Sequence, residues 1–190
     1  MARQRDTALG RDAILRAAFD LLDEAGLEGI TMRALAARLG VQAPALYWHV
    51  KDKGALIALM AQEIYGEARH AQEGSATARD WLMRLGLGLR DALAGHRDAA
   101  RLLATASPLA QPDEPAAEAM AAPLVMLGFN REDALEAQAA VLSLTLGWAL
   151  YRENAAMADF LSGLFDLKRS YEKGLALLVG GLVAEAATAG

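Results

Sequence analysis

Residues 31–53, TMRALAARLGVQAPALYWHVKDK, read as two short helices joined by a tight turn. Thr31 is suited to cap the first, its hydroxyl accepting from the free amides of the opening turn. Leu35, Ala36 and Leu39 then fall on one helical face. Gly40 ends that helix, because glycine tolerates the left-handed conformation favoured at a helix C-terminus. Pro44 opens the second helix, where its missing amide is harmless and its fixed φ is helical. Over residues 43–50, Leu46 and Val50 lie four apart and are expected to face inward. Pro44, Ala45, Tyr47, Trp48 and His49 then face the other way. A face made only for water would carry Lys, Glu and Gln. Three rings there fit either a surface awaiting a partner or a core packed beneath the next helix. Helix, tight turn, helix is also the layout in which a second helix enters the major groove of DNA.

Upstream, residues 12–25 predict a supporting helix with a buried stripe of Ile14, Ala18, Leu21, Leu22 and Ala25, stopped by Gly26. Its partners are Leu35, Leu39, Leu46 and Val50, so three short helices form one unit. Arg3, Arg5 and Arg11 precede it, either as an arm on DNA or as a solvated terminus. Asp52 is placed to cap a fourth helix over residues 53–69, which joins this unit to the rest. Lys53 stands at its N-terminus, where amides and dipole favour an anion such as a DNA phosphate.

Residues 74–77 read as a loop, and the body begins there. In residues 77–93, Trp81, Leu85, Leu89 and Leu93 recur at spacings of four. Gly86 and Gly88 read as points of close helix approach, since no strand precedes them and no third glycine completes a phosphate loop. His96-Arg97-Asp98 shares three letters with a kinase motif but lacks the downstream Asn, and is read as the start of a helix over 98–105. Residues 111–115 predict a turn, and residues 116–127 a helix marked by Pro123. Gly128-Phe129-Asn130 closes it and caps a long helix reaching about residue 155. That helix, through AVLSLTLGWALY at 140–151, and the segment LALLVGGLVAEA at 175–186 are apolar nearly all round. A helix apolar on every side must be buried on every side. With Gly147, Gly180 and Gly181 inside them, the expected solution is a homodimer in which two helices from each subunit form a four-helix bundle.

The 190-residue chain is long enough for a real core and carries a net charge of −5. The charge is uneven: residues 1–53 hold eight basic and seven acidic side chains, against eleven and seventeen in the remainder. That asymmetry agrees with a nucleic-acid-binding head but is too small to establish one. Cysteine is absent, which excludes a disulfide framework and fits a reducing, cytoplasmic setting. The basic N-terminus lacks the apolar core of a signal peptide, and no charge-free apolar run reaches membrane-spanning length.

Residues 31–53, with the run Leu46-Tyr47-Trp48-His49-Val50, resemble the DNA-binding segment of the TetR family of bacterial regulators, most closely its tetracycline-repressor branch. The likeness starts at residues 11–31, RDAILRAAFDLLDEAGLEGIT, and continues more weakly over most of the chain. It implies an all-α fold, with a helix-turn-helix DNA-binding domain at 8–70 (motif 31–50) and an effector-binding and dimerisation domain at 71–190. It also implies that Arg33 and Gln42 read bases and that Ala43, Pro44 and Ala45 lie against them. Tyr47, Trp48, His49 and Lys53 would then touch backbone or groove wall. Ala43 and Ala45 replace polar residues of the family pattern and offer only apolar contact, so the operator should differ from the tetracycline operator. Leu103 falls where the branch has a magnesium-binding histidine, Ser107 replaces an arginine, and Arg69 matches another histidine. A tetracycline–magnesium chelate is therefore not expected. Trp81, Leu85, Leu89, Leu102, Leu103, Met120, Leu124 and Trp148 are expected either to line a mostly apolar cavity or to be plain core.

The expected protein is a homodimeric, ligand-responsive repressor that binds an inverted-repeat operator and needs no cofactor or metal. A small helical enzyme is disfavoured because His49, His70 and His96 are scattered and no nucleophile pairs with a carboxylate. A helical small-molecule-binding protein that retains the motif without strong operator binding is the alternative.

Overall fold

The computed structural model describes residues 10–107 and 113–189, which contain ten α-helices and no strand. They are α1 (Arg11–Gly29), α2 (Met32–Leu39), α3 (Ala43–Tyr47), α4 (Lys53–His70), α5 (Ala78–Ala94), α6 (Ala99–Thr105), α7 (Glu114–Val125), α8 (Arg131–Glu153), α9 (Ala155–Ser162) and α10 (Leu167–Ala189). Arg3, Arg5 and the first part of the expected 111–115 turn lie outside the described residues.

Local caps fix most helix starts. Thr31, Asp52, Thr77, Asp113 and Asn130 each accept the amide three residues on, at 2.8–3.1 Å. Helix α7 lies two residues earlier than the expected 116–127, and three further boundaries differ for a visible reason. The first helix does not stop at Gly26: it kinks there (φ 70°) and resumes to Gly29, because Asp98, far along the chain, accepts the Leu27 amide at 2.9 Å. The second helix of the motif ends at Tyr47, where the amides of His49 and Val50 both turn back to the Leu46 carbonyl at 3.0 Å. The long helix ends at Glu153 because Asn154 leaves helical geometry and caps α9 through the amide of Met157.

In α1, Ile14, Ala18 and Leu22 are buried as expected, but Ala25 is exposed and Leu21 half-buried. Leu15 and Phe19 are buried instead, because α1 is covered on two sides. One side is the head core; on the other, His96 stacks on Phe19 with ring centroids 4.4 Å apart, and its Nδ1 lies 3.0 Å from Asp23.

Two apolar clusters organise the chain. The first runs from α1–α3 through Leu56, Met60 and Ile64 of α4 to Leu89 and Leu93 of α5 and Leu102 and Leu103 of α6, so it continues past residue 70. The second joins α5, α7, α8 and α10 through Trp81, Leu85, Leu124, Val141, Tyr171 and Leu175. Gly86 and Gly88 are close-approach points: a β-carbon at Gly86 would stand 2.8 Å from Leu175, and one at Gly88 would stand 2.8 Å from Ala71. Helices α8 and α10 bury one face each within the chain. On their other faces Leu177 is 68% exposed and the space around Gly147 is open.

Candidate nucleic-acid interface and cavity

The motif is built by its own residues. Gly40 adopts φ 68°, the Gly40 amide donates to Ala37 at 3.2 Å, and the Val41 amide donates to Ala36 at 3.0 Å, which closes α2 and reverses the chain. Pro44 occupies the first turn of α3. Leu46 and Val50 are buried and fix its roll, so Pro44, Ala45, Tyr47, Trp48 and His49 all face outward. Trp48 is 87% exposed and Tyr47 51%, which decides between the two sequence readings of these rings: neither is core. Arg33, Gln42 and Lys53 are also exposed, and Ala43 is half-buried beside them.

The nearby charges divide by task. Arg38 forks onto Glu24 at 2.6 and 2.7 Å and reaches Asp20 at 3.4 Å, tying α2 to α1. The hydrogen bonds from Arg38 hold the Glu24 carboxyl below the usual carboxylate range. Arg33, His49 and Lys51 enter no ion pair among the described residues, and the Lys53 ammonium lies 3.5 Å from the Leu27 carbonyl. Lys51, exposed two residues before Lys53, was not singled out from sequence. Its position just outside the motif, next to the capping Asp52, was the available signal.

A cavity of about 1190 Å³ opens between α4, α5, α7 and α8. Three expected residues, Trp81, Leu85 and Met120, line it together with Pro123, Gln138 and Leu142. Arg11, Glu63, Glu67, Arg69 and Glu73 stand at its mouth, all exposed. Leu89, Leu102, Leu103 and Leu124 do not reach it; they are buried in the two clusters. Residues four apart on a helix drift by about 40° per step, so the stripe that begins on the cavity at Trp81 has turned to the other cluster by Leu89. Trp148 lies on a separate cavity of about 520 Å³ with Arg90, Arg152 and Tyr171.

Gln138, Gln72 and Tyr65 also line the larger cavity and were not foreseen. Gln138 carried a signal: with Thr145 it is one of two polar residues on the otherwise apolar Ala134, Ala137, Val141 face of α8. Burial raises the pKa of the Tyr65 phenol above its ordinary value of 10.0.

Leu103 is buried in the first cluster, Arg69 brings a cation, and no group of three His, Cys, Asp or Glu side chains gathers among the described residues.

The corner between α5 and α6 is tied to the head. Asp98 (φ 55°) holds Leu27, and the Arg97 amide donates to Asp23 at 3.0 Å. Glu153, at the end of α8, accepts the Ala100 and Arg101 amides at 2.6 and 3.1 Å and so caps α6 from another helix. No helix of the described residues is long and apolar enough to cross a membrane.

Residues 14–60 match the family described as bacterial regulatory proteins, tetR family. The chain is 34% identical to the tetracycline repressor protein class A from transposon 1721 of Escherichia coli, over 93% of this chain and 91% of that protein. Among solved structures, TetR from Acinetobacter baumannii AYE superposes with TM-score 0.77 at 30% identity, covering 94% of this chain and 98% of its own. TetR(class A) in complex with 5a,6-anhydrotetracycline and magnesium superposes with TM-score 0.71 at 34% identity, covering 93% and 99%.

Proposed function

The chain belongs to the TetR family of bacterial regulatory proteins, and we propose from that premise a homodimeric repressor released from an inverted-repeat operator by a small, mostly apolar effector. Residues 8–70 serve as the DNA-binding unit and residues 71–190 as the effector-binding and dimerisation unit. The protein regulates rather than catalyses, and works in the cytoplasm where its operator lies. The observation that carries this reading is the outward aromatic run at the end of α3 and just beyond it: Tyr47, Trp48 and His49 are exposed while Leu46 and Val50 anchor the segment from beneath.

In the groove, Arg33 offers a fork for guanine and Gln42 a donor–acceptor pair for adenine. Ala43, Pro44 and Ala45 lie against bases, and Ala43 and Ala45 offer apolar contact of the kind a thymine methyl accepts. Tyr47, Trp48, His49 and Lys53 meet backbone and groove wall. In the dimer, the uncovered faces of α8 and α10 pair with their copies and set two reading helices about one helical turn of DNA apart.

Trp81, Leu85 and Met120 contact the effector. Without an imidazole at position 103, the effector is held as an organic molecule rather than as a metal chelate. A ligand shifts the operator equilibrium only as far as it prefers one arrangement of the protein over the other. Helix α4 is the element it acts through, because α4 forms one wall of the cavity and also carries the head core on Leu56 and Met60.

Selection of bound sequences from random duplex DNA at moderate salt tests the proposal. The expected product is an inverted repeat with half-sites one turn apart. No enrichment by folded, dimeric protein would transfer the weight to a helical small-molecule-binding protein that has kept the motif without strong operator binding.

A further inference from the structure

The cavity wall contains one polar group whose hydrogen-bonding role is fixed before any ligand arrives. Gln138 is only 9% exposed, and its amide nitrogen donates to two backbone carbonyls, Met120 of α7 at 3.0 Å and Ala134 of α8 at 2.9 Å. A primary amide nitrogen has two protons, and here both are spent. Turning the amide over would set its oxygen against two carbonyl oxygens, so the orientation is determined by its partners. The oxygen, Oε1, accepts from no other group among the described residues. Gln138 therefore meets the cavity as an acceptor and never as a donor.

The neighbours of Gln138 limit what can approach it. Trp81 and Leu85 are buried and Leu142 is half-buried, so the wall beside Gln138 is mainly apolar, with buried Gln72 and half-buried Tyr65 as the other polar members of the interior lining. The charged lining residues, Arg11, Glu63, Glu67, Arg69 and Glu73, are all exposed at the mouth. An empty cavity lets water satisfy the amide oxygen; a ligand that displaces this water must supply a donor or leave a buried acceptor unpaired. The indole of Trp81 gives a ring a flat surface to pack on.

We infer that the effector is an uncharged ring compound whose buried end carries a hydroxyl or ring N–H donated to Gln138 Oε1. This rests on the cavity being the effector site. Gln138 is then the specificity residue: it accepts a phenol and rejects the corresponding methyl ether. The same side chain ties α7 to α8 through the Met120 carbonyl, so the ligand's donor is read at the joint between two cavity walls.

Equilibrium dialysis of the full chain against estrone and against estrone methyl ether tests the inference with rigid, uncharged probes that differ in one phenolic proton. Estrone should be retained about ten- to a hundred-fold more tightly, the discrimination expected when a buried acceptor loses its donor. Gln138→Met, checked for unchanged helical content, should bring the two probes to within about two-fold of each other, well below that discrimination. Equal retention of the pair by the unmodified protein, discrimination that survives Gln138→Met, or retention of neither probe would overturn it. Retardation of the selected operator by the same unliganded samples reports on the repressor reading separately, so either can fail alone.

Discussion

A β-carbon on Gly88 of α5 would stand 3.0 Å from the carbonyl oxygen of Ala68 in α4, with the Ala71 methyl closer still at 2.8 Å. The two helices meet backbone to backbone at this point, and the side of α4 that carries the head has no flexible side chain to yield there. Gly88→Ala should therefore push α4 outward. We expect a loss of about 1–3 kcal/mol in thermal unfolding and weaker operator retardation at temperatures where the protein remains folded. Gly66→Ala, on the same α4 but with nothing within 4 Å of its β position, should instead stabilise by about 0.5–1 kcal/mol through helix propensity alone.

Trp48→Ala separates recognition from folding. With the indole 87% exposed, its removal should change stability by less than about 0.5 kcal/mol. Operator affinity should fall by about 1–2 kcal/mol, roughly ten-fold. Fluorescence anisotropy with labelled operator, beside a thermal melt, measures both. A lowered melting temperature with unaltered DNA affinity would mean the ring supports the head rather than the interface.

Tyr171 is buried, donates to the Gly86 carbonyl at 2.8 Å and lies 2.9 Å from the Thr145 hydroxyl. Burial pushes its pKa above the ordinary value of 10.0. The unfolded chain ionises first, so this contribution is fully present below about pH 10 and declines as pH rises from there through the higher folded value. Tyr171→Phe should flatten the alkaline limb of a stability–pH profile while costing about 1–2 kcal/mol at neutral pH. An unchanged alkaline limb would assign that dependence to another group.

Gly147 faces open space within one chain, so Gly147→Leu should leave the protomer folded. On a helix that pairs with its copy it should weaken the dimer through overpacking, by about 1–3 kcal/mol. Sedimentation velocity across a concentration series should show a larger monomer fraction. An unshifted profile would place Gly147 away from the interface.

The sequence was most legible where structure is made by neighbours. Thr31, Gly40, Pro44 and Asp52 define the motif because a cap or a left-handed turn needs only three or four consecutive residues. The two sides of α3 could also be assigned from Leu46 and Val50, but whether a further element covered the rings could not, since that depends on where α4 leaves. Distant partners account for the rest. Asp98 reads as a helix starter, yet its carboxylate serves Leu27 and α6 is capped by Glu153. Leu89 reads as continuous with Trp81, yet a four-residue spacing on a helix that repeats every 3.6 residues carries it around to another core. Gln138 stands out as a polar residue on an apolar face, but only the pair of carbonyls it meets shows what its oxygen is left to do.

The first apolar cluster has a practical meaning for anyone recombining family members. Grafting this head onto another body at residue 70 would sever Leu56, Met60 and Ile64 from Leu89, Leu93, Leu102 and Leu103. The donor's stubs would be left with water or with mismatched shapes. A transplant that keeps its reading specificity must carry residues 89–103 along, or redesign the recipient's α5–α6 corner to fit. What moves between relatives as one piece is the motif together with the surface that supports it.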